Sequence, residues 1–446
     1  MDSIKIYKDY FKKKRETIIS FFECVKGKGA SIDLWGAGRR GKAFLDIYDR
    51  DGIYIDVVFD SDSGKCGKYI DNVHMVKDYR DYLDNQIPNV IVVADPWLEY
   101  YVRYLFCDVP SVFIISIDHI IEGDLTVDDI MRDISPDLST VRTNSVCAVT
   151  ITYNPSKFVM DNIASYADSV DKLYIFDNTI NCNIALFEEV IHKSNVTYIS
   201  YKENRGLSAA INETVKLAKQ EGFDWLITFD QDSYAEENMI DIYRKFINSY
   251  ECHDEIAIVA PLVNDMSQME YVPLDKLKKI KKPFFTYMNT VVQSGMMHRL
   301  EYINQIGEYD EDLFIQDVDY DFCCRCHLSN FKIIRLNHAI LQHNLGDGNA
   351  SGKNIDGKYI LTGKFSPLRY YYIYRNALYC RDKYKISNPI YASSRQDVLD
   401  KLDFASSYDG DVERNKLAIA LAKEDVSNNR MGKASNRLIE ILDCRK

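Results

Sequence analysis

Short apolar runs that end in polar residues recur along the chain and predict an α/β protein. Most runs are rich in β-forming residues and precede a stretch with helical spacing, as in an open α/β sheet. The clearest run, residues 224–229, ends in Asp230-Gln231-Asp232. Residues i and i+2 of an extended segment point the same way, so both carboxylates can bind one divalent cation. A polar strand end followed by a helix cap at Asp232 or Ser233 is the alternative interpretation.

The first third of the chain has the element order of a dinucleotide-binding unit. A polar helix near residues 4–26 precedes predicted strands over residues 31–35, 55–59, 89–94 and 111–116. The first strand enters a glycine turn, and the second ends in an acid, which is the pattern that places a phosphate at a helix start. The candidate nucleotide-binding residues are Gly36, Gly38, Gly41 and Asp60. A degenerate Rossmann unit with a structural role fits the same pattern.

A second α/β series follows a polar segment, residues 122–144, which indicates a linker. Its first predicted strand begins at Val146 and ends in Tyr153-Asn154-Pro155, and the others cover residues 172–177, 196–200 and 224–229. Pro155 is expected to open one helix, and the segment 203–212 to open a longer one that runs to about residue 221. The strands are expected to end at one edge of the sheet, where α/β proteins bind ligands. The residues at or after these strand ends are Thr152, Tyr153, Asn154, Asp177, Asn178, Arg205 and Gly206. Core packing alone does not explain why so many polar residues gather there.

Composition and charge exclude several classes of protein. The chain has 55 basic and 67 acidic residues, and the resulting net charge of −12 argues against broad nucleic-acid binding. It contains no window of about 18 apolar residues, so no transmembrane helix is predicted. The amino end lacks the apolar region of a secretory signal. The 11 scattered cysteines fit reduced thiols in a cytoplasm. We therefore predict a cytoplasmic protein and leave peripheral contact with the inner face of the membrane open.

The ordered motifs of the second series resemble family 2 of the inverting glycosyltransferases. In chain order they are Thr152-Tyr153-Asn154-Pro155, Asp177-Asn178, Asn204-Arg205-Gly206, Phe229–Ser233, Gln293-Ser294-Gly295, Ile306–Asp310, Leu313–Asp321, His343–Gly346 and Tyr371–Asn376. They cover about residues 146–380. The Asp-Gln-Asp-Ser form is similar to the rhamnosyltransferase-like branch, which includes galactofuranosyltransferases. The first third is similar to the small Rossmann-like domain of sugar acetyltransferases.

The resemblance implies a GT-A fold, a Rossmann-like mixed sheet that binds a nucleotide sugar. The predicted fold class is therefore α/β with three regions. A small Rossmann-like domain covers residues 1–135, the GT-A catalytic domain covers 145–385, and a helical region covers 386–446. The helices of the last region are expected to pack on the domain before them or to pair subunits into a homo-oligomer.

The resemblance also implies the residues of the donor and metal sites. A manganese or magnesium ion would bind Asp230, Asp232 and His343, which offer two carboxylates and an imidazole. The donor nucleotide would contact Thr152, Tyr153, Asn154, Asp177, Asn178, Arg205, Gly206 and Asp230.

Asp319 aligns with the family's general base, which takes the proton of the acceptor hydroxyl as that oxygen attacks the anomeric carbon. The acceptor or the sugar would contact Ser294, Gly295, Asp317, Asp321 and Arg375. An acidic helix amino terminus, favoured by the helix dipole, is the alternative interpretation of Asp317, Asp319 and Asp321. Family members often carry an acid where this chain has Gln316, which leaves the acceptor contacts open.

The predicted function is metal-assisted transfer of a sugar, with rhamnose as the first choice. The donor would be dTDP-rhamnose or a UDP-sugar, and the acceptor a hydroxyl of a cell-surface polysaccharide or a lipid-linked glycan. A galactofuranosyl or other UDP-sugar transferase is the nearest alternative. A nucleotidyltransferase would need a glycine-rich basic loop near its start, which residues 152–155 do not offer. A non-catalytic binding protein would tolerate loss of Asp319 and His343, yet both are present.

Two local clusters have weaker alternatives. Cys323-Cys324-Arg325-Cys326-His327 looks like a metal cluster, but neighbouring residues of a helix point about 100° apart, so we expect a buried helix face rather than a zinc site. The segment from Lys276 to Phe285 joins five lysines to two aromatic residues. It is expected to be a solvated loop, or else to contact anionic lipid or a lipid-diphosphate acceptor.

Overall fold

The computed structural model describes residues 3–82, 88–109, 111–122, 144–249, 255–265, 271–280, 282–343, 351–355, 358–362 and 365–442. The chain divides into two compact units. The first contains Met1–Pro136, Glu270–Met288 and Asp356–Lys358, and the second contains Asp137–Met269, Asn289–Ile355 and Tyr359–Lys446. The predicted linker lies almost entirely outside the described residues, and the predicted limits of the three regions stay predictions.

The strands are numbered in chain order. They are β1 Ser31–Trp35, β2 Val57–Asp60, β3 Val76–Asp78, β4 Asn89–Val93, β5 Val112–Ser116, β6 Val146–Thr152, β7 Lys172–Asp177, β8 Val196–Ser200, β9 Trp225–Asp230, β10 Tyr234–Ala235, β11 Ile256–Asp265, β12 Phe285–Tyr287, β13 Met297–Arg299, β14 Lys332–His343, β15 Ser351–Ile355 and β16 Lys358–Thr362.

The α-helices are numbered in the same way. They are α1 Ser3–Lys13, α2 Arg15–Gly27, α3 Arg39–Tyr48, α4 Glu99–Leu105, α5 Ile117–Glu122, α6 Val159–Ala164, α7 Glu188–Ile191, α8 Leu207–Gln220, α9 Met239–Ser249, α10 Leu274–Leu277, α11 Ile303–Ile306, α12 Val318–Leu328, α13 Pro367–Tyr384, α14 Pro389–Ala405, α15 Val412–Ser427 and α16 Asn436–Leu442. Among the described residues, no helix has both the length and the hydropathy needed to span a bilayer.

The first unit is built on a five-stranded sheet in which all neighbouring strands are parallel. The strand order is β3-β2-β1-β4-β5. This is the order of a Rossmann-type sheet. Strand β4 is buried along its whole length, as expected when a parallel sheet is covered on both faces. The predicted α/β organisation of this unit is therefore confirmed.

The helix predicted near residues 4–26 is two helices, α1 and α2, which meet at Lys14. The ring of Phe44 in α3 explains the break, because both Phe11 and Phe22 contact it, with ring centroids at 5.6 and 5.9 Å. In one straight helix these two residues would be separated by about 16 Å along the axis. The chain bends so that both rings reach the same core.

The second unit is built on a mixed sheet with the strand order β10-β14-β11-β13-β9-β6-β7-β8. Strands β9, β6, β7 and β8 run parallel to one another, whereas β13 is antiparallel to both of its neighbours. The expected mixed α/β sheet is confirmed. The four predicted strand ends are adjacent because their strands are neighbours in the sheet.

The helix that Pro155 was expected to open begins later, at Val159. Asn154 has a left-handed backbone with φ 45°, and its N–H donates to the hydroxyl of Thr179 at 2.8 Å. Both features keep residues 153–155 in a loop over the sheet edge. The prediction was wrong because this loop makes contacts at the strand ends that a helix would remove.

The carboxyl-terminal helices α14, α15 and α16 belong to the second unit and share a core with α13. The side chains of this core include Tyr372, Leu399, Ile419 and Leu438, and Phe314 packs among them. Phe314 lies four residues before α12, the helix that carries Asp319. The helical region therefore packs directly behind the segment that holds the predicted base.

Candidate active site

The ends of β6, β7 and β9 bring three predicted donor residues to one edge of the sheet. Thr152 and Asp177 are paired in register, and Asp230 pairs with Ile151. The hydroxyl of Thr152 donates to Oδ1 of Asp177 at 3.2 Å, and the hydroxyl of Tyr198 donates to Oδ2 at 2.6 Å. Asp177 is fully buried, and its carboxylate links the end of β6 to β8 through these two hydrogen bonds.

Gln231, between the two aspartates, points away from them. Its side-chain oxygen accepts the N–H of Tyr153 at 2.8 Å, and its carbonyl accepts from the side chain of Asn162 at 2.8 Å. The glutamine thus ties the loop after β9 to the loop after β6. Tyr153 and Asn154 are both exposed, as residues that contact a nucleotide need to be.

The start of α8 is held by a buried amide. The Asn178 side chain donates to the carbonyl of Gly206 at 3.0 Å and accepts the N–H of Arg205 at 3.3 Å. The guanidinium of Arg205 lies 4.7 Å from the centre of the Tyr201 ring, a cation–π contact at the rim. Backbone N–H groups at the first turn of a helix attract anions.

Asp230, Asp232 and His343 form a group that could hold a metal ion, which we call the metal group. Each residue offers one ligand atom, and these atoms lie within 4.8 Å of one another. Nε2 of His343 is 3.9 Å from Asp230, and Nδ1 is 3.5 Å from Asp232. The imidazole is buried, whereas the Asp232 side chain is 52% exposed. Two carboxylates and an imidazole with one open side suit manganese or magnesium.

Ser233 orients the histidine of the metal group. Its hydroxyl lies 2.7 Å from Nδ1 of His343 and 2.7 Å from the hydroxyl of Ser294. Ser294 in turn accepts the N–H of Asp230 at 3.0 Å. A hydrogen bond at one ring nitrogen sets the ring orientation and leaves the other nitrogen as a ligand. The sequence had suggested only a helix cap for Ser233, and its place directly after Asp232 was the available signal.

Burial raises the pKa of the Asp230 carboxyl; the neighbouring His343 lowers it, and the charge of Asp232 raises it again. Two carboxylates that are drawn together in this way repel each other when both are ionised. A bound divalent cation would reduce that repulsion. The three residues of the metal group are therefore chemically suited to bind a metal ion.

A cleft with a volume of about 380 Å³ opens beside the metal group. Asp232 and His343 line one part of it, and the exposed aromatic side chains of Phe158 and Tyr234 line another. The open side of the metal group is therefore accessible from solvent.

Asp319 is held by backbone donors near the start of α12. Its Oδ2 accepts the N–H of Gln293 at 3.1 Å, and its Oδ1 accepts the N–H of Tyr320 at 2.9 Å. Burial raises the pKa of Asp319 to about 7, and the charge of Asp317 acts in the same direction, against the two N–H groups. A carboxyl that titrates near neutral pH is suited to accept a proton during a reaction.

The loop Gln293-Ser294-Gly295 connects Asp319, the predicted base, to the metal group. Its first residue donates to Asp319, and its second contacts Ser233 and Asp230. The loop requires a glycine at its end, because Gly295 has φ 78° and a Cβ there would lie 2.5 Å from Pro261. The hydroxyl of Thr228 in β9 also donates to the carbonyl of Gln293 at 2.7 Å.

The segment before Asp319 has a strained backbone, which side chains of α13 and α14 hold in place. Gln316 and Asp317 are consecutive non-glycine residues with left-handed backbones, at φ 70° and 58°. The side chain of Asn376 in α13 donates to the carbonyls of Ile315 and Gln316, at 2.7 and 2.9 Å. The guanidinium of Arg395 in α14 donates to Asp317, and both side chains are buried. No motif pointed to Arg395, because its role depends on a partner 78 residues earlier.

Asp321 and Arg375, both predicted to contact the acceptor or the sugar, are fully buried among protein partners. Asp321 accepts from Arg325 at 2.8 Å, from Lys383 at 2.8 Å and from Tyr384 at 2.5 Å. The Arg375 side chain donates to Asn376 at 3.0 Å and stacks on neighbouring tyrosine rings. Their described contacts support the frame of the site, and their contact with a substrate stays a prediction.

The glycine turn of the first unit is closed by the chain itself. Asp60 accepts the N–H of Ala37 at 2.7 Å and the ammonium of Lys65 at 2.9 Å. A Cβ at Gly41 would lie 1.8 Å from the carbonyl oxygen of Gly36, so the turn packs tightly against the helix start. These contacts favour the structural interpretation of the turn. Nucleotide binding at Gly36, Gly38, Gly41 and Asp60 stays a prediction.

The two local clusters also have defined positions. Cys323, Cys324 and Cys326 are buried free thiols on α12, so the expected buried helix face is confirmed. In the lysine-rich segment, Lys276, Lys278 and Lys279 are exposed. Lys282 is buried, and its ammonium donates to the carbonyl of Leu277 at 2.5 Å.

Comparison with known proteins agrees with the geometry of the second unit. Residues 147–326 match the model of the family described as Glycosyl transferase family 2. The dTDP-rhamnosyl transferase RfbF of Shigella flexneri is 28% identical over 250 residues, which are 52% of this chain and 79% of that protein. The uncharacterized glycosyltransferase MJ1057 of Methanocaldococcus jannaschii is 26% identical over 210 residues, which are 45% of this chain and 70% of that protein.

Among solved structures, the chain is similar to GalNAc-T7 with UDP, GalNAc and Mn²⁺, at 11% identity and a TM-score of 0.39. That match covers 66% of this chain and 59% of the other, less than two thirds of its length. The match to the family model carries the assignment. The chain is a glycosyltransferase, and its residues 147–326 form a family 2 glycosyltransferase domain.

Proposed function

We propose that the enzyme transfers a sugar by a single displacement with inversion, and that Asp319 is its general base. The observation that carries the proposal is the loop Gln293-Ser294-Gly295, which touches the base at one end and the metal group at the other. A single displacement needs a base on one side of the anomeric carbon and a site for the departing diphosphate on the other. A short shared loop keeps these two groups in a fixed relation.

In the proposed reaction, Asp319 accepts the proton of the acceptor hydroxyl while that oxygen forms its bond to the anomeric carbon. The bond from the anomeric carbon to the diphosphate oxygen breaks, and the nucleoside diphosphate leaves with the electron pair. The N–H groups of Gln293 and Tyr320 orient the carboxylate for this transfer. Its pKa near 7 means that it is a stronger base than an ordinary aspartate and is still ionised at neutral pH in a large fraction of molecules.

Asp230, Asp232 and His343 would hold a manganese or magnesium ion at the other end of the loop. Such an ion, when bound, offsets the charge that develops on the departing diphosphate. Ser233 keeps the imidazole in place for this role. The nucleoside would lie over the strand ends, against Tyr153 and Asn154 and near the start of α8, with Thr152, Asp177 and Asn178 supporting these loops and Arg205 and Gly206 at the phosphates.

Rhamnose from dTDP-rhamnose is the proposed substrate. The Asp-Gln-Asp-Ser form supports this choice, and the Shigella relative is a dTDP-rhamnosyl transferase. A UDP-sugar, including UDP-galactofuranose, is the second candidate. The acceptor is proposed to be a hydroxyl of a cell-surface polysaccharide or a lipid-linked glycan, assembled at the cytoplasmic face of the membrane.

A nucleotide and donor screen tests the proposal. The melting temperature is measured with dTDP, UDP, GDP and CMP, each with and without manganese, and release of nucleoside diphosphate is measured from dTDP-rhamnose and UDP-galactofuranose. We expect dTDP with manganese to stabilise most and dTDP-rhamnose to be consumed. The anomeric configuration of the first product, followed by NMR, should be opposite to that of the donor. The absence of any metal-dependent stabilisation by a nucleotide would contradict the proposal.

A further inference from the structure

Gln293 carries a buried side-chain amide that has no hydrogen-bond partner among the described residues. Its side chain is in a residue only 4% exposed, and within the described part of the chain neither Oε1 nor Nε2 makes a hydrogen bond. The backbone of the same residue is fully used, since its N–H donates to Asp319 and its carbonyl accepts from Thr228. Buried amides are almost always hydrogen-bonded, because leaving them unpaired costs folding free energy.

A second buried amide in the same unit shows how this protein treats an amide with a structural role. The side chain of Asn212 donates to the carbonyl of Tyr309 at 2.9 Å and to Glu311 at 3.0 Å. Its oxygen accepts the N–H of Tyr309 at 2.8 Å. Asn212 is 3% exposed, so the two amides are equally buried but differ completely in their partners.

The backbone contacts of Gln293 place the residue between two parts of the candidate active site. The residue lies between Asp319, which contacts its N–H, and Ser294, which contacts the metal group. If the proposed function holds, the ring of the transferred sugar must lie between the base and the departing diphosphate, next to this residue. An amide offers donors and an acceptor together, and a sugar hydroxyl can use both.

We propose that the side-chain amide of Gln293 binds hydroxyl groups of the transferred sugar ring and selects the donor by them. This inference rests on the proposed function and adds a sugar-binding residue to it. A neutral amide suits this position because a charged group would change the ionisation of Asp319. The cost of the unpaired amide in the free enzyme is recovered as binding free energy when a sugar fills the site.

Stability and activity should respond in opposite directions to Gln293→Met, which keeps the length of the side chain and removes both polar atoms. We expect an equal or higher melting temperature without ligand, because no hydrogen bond to a described residue is lost. We also expect kcat/KM for dTDP-rhamnose with manganese to fall about tenfold or more. The matched control is Asn212→Leu, which should lower the melting temperature because it leaves the backbone groups of Tyr309 unpaired.

A donor that lacks one ring hydroxyl completes the test. Each deoxy analogue of dTDP-rhamnose lacks the hydroxyl at one ring position. If Gln293 binds one of these hydroxyls, the analogue that lacks it should be a much poorer donor than dTDP-rhamnose for the wild type. For Gln293→Met, the same analogue should be nearly as good a donor as dTDP-rhamnose. The inference is overturned if Gln293→Met lowers the melting temperature as Asn212→Leu does, or if the variant turns over dTDP-rhamnose like the wild type. A wild type that neither binds nor consumes this donor contradicts the proposed donor instead, and the melting comparison still tests the amide.

Discussion

The hydroxyl of Ser233 lies 2.7 Å from Nδ1 of His343, although the two residues are 110 positions apart in the chain. This hydrogen bond joins the loop after β9 to the end of β14. It places an imidazole beside the carboxylate at the end of β9 and the carboxylate two residues later in the chain. The metal group is therefore assembled by the sheet and is oriented by a serine that is not itself a proposed ligand.

Loss of this orientation should weaken metal binding without removing a ligand. We expect Ser233→Ala to weaken manganese binding by about 10- to 100-fold, the usual effect of deleting a group that orients a metal-bound histidine. Asp232→Asn should weaken it further. The measurement is a manganese titration of the melting temperature in the presence of dTDP. Asp168→Asn, at an acid with a 75% exposed side chain, is the control and should behave like the wild type.

Replacing Asp319, the proposed base, should separate catalysis from donor binding. Asp319→Asn keeps the size of the side chain but cannot accept the acceptor proton, so transfer should fall by about 10²- to 10⁴-fold. The stabilisation by dTDP with manganese should persist, because the nucleotide loops and the metal group are unchanged. A variant with full turnover would rule out Asp319 as the base.

The rate should depend on pH through the same carboxyl. The base acts in its ionised form, and its pKa is raised to about 7, so kcat/KM should rise with pH and level off above neutrality. Asp317→Asn removes a nearby negative charge, which should lower the pKa of Asp319 and move the acidic limb to lower pH. Donor hydrolysis at a series of pH values measures this limb. Asp312→Asn, at an exposed acid of the same segment, should leave it in place.

The buried ion pair between Asp317 and Arg395 should reveal itself in unfolding experiments. Arg395→Met leaves the carboxylate of Asp317 buried without its cation, which should reduce the free energy of unfolding by about 3–5 kcal/mol. The double variant Asp317→Asn, Arg395→Met should recover most of that loss, since no charge remains buried. Urea unfolding measures all three proteins. Equal stability of the single and the double variant would contradict the pairing.

The glycine turn of the first unit offers a matched pair of substitutions. Gly41→Ala places a methyl group 1.8 Å from the carbonyl oxygen of Gly36, so the turn must open and the melting temperature should drop by several degrees. Gly38→Ala meets no atom within 4 Å, and its φ of −83° suits any residue. This second substitution should be nearly neutral. Thermal unfolding followed by circular dichroism compares the two.

Much of the fold could be predicted from local pattern alone. The runs that became β1 and β8 were predicted at their observed bounds, because each is a short run with β-forming residues next to turn-forming residues. The grouping of Asp230, Asp232 and His343 followed from family motifs and is present in the structure.

What could not be predicted depends on contacts between distant residues. The break between α1 and α2 depends on contact with the Phe44 ring in α3. The carboxylate of Asp60 already accepts hydrogen bonds from Ala37 and Lys65. That the amide of Gln293 lacks a partner among the described residues is visible only in the tertiary structure. A sequence motif records that a residue is present, but the use of its hydrogen-bonding groups is decided by the tertiary structure.

The left-handed pair Gln316–Asp317 has a consequence for protein engineering. Two such non-glycine residues in succession cost about 1–2 kcal/mol each, and Asn376 and Arg395 hold them in place. Both of those residues lie beyond the family-matched residues 147–326. A hybrid enzyme that exchanges only the matched segment with a relative would separate the base from its supports. The smallest module that can be exchanged intact therefore extends at least through α14, to Ala405.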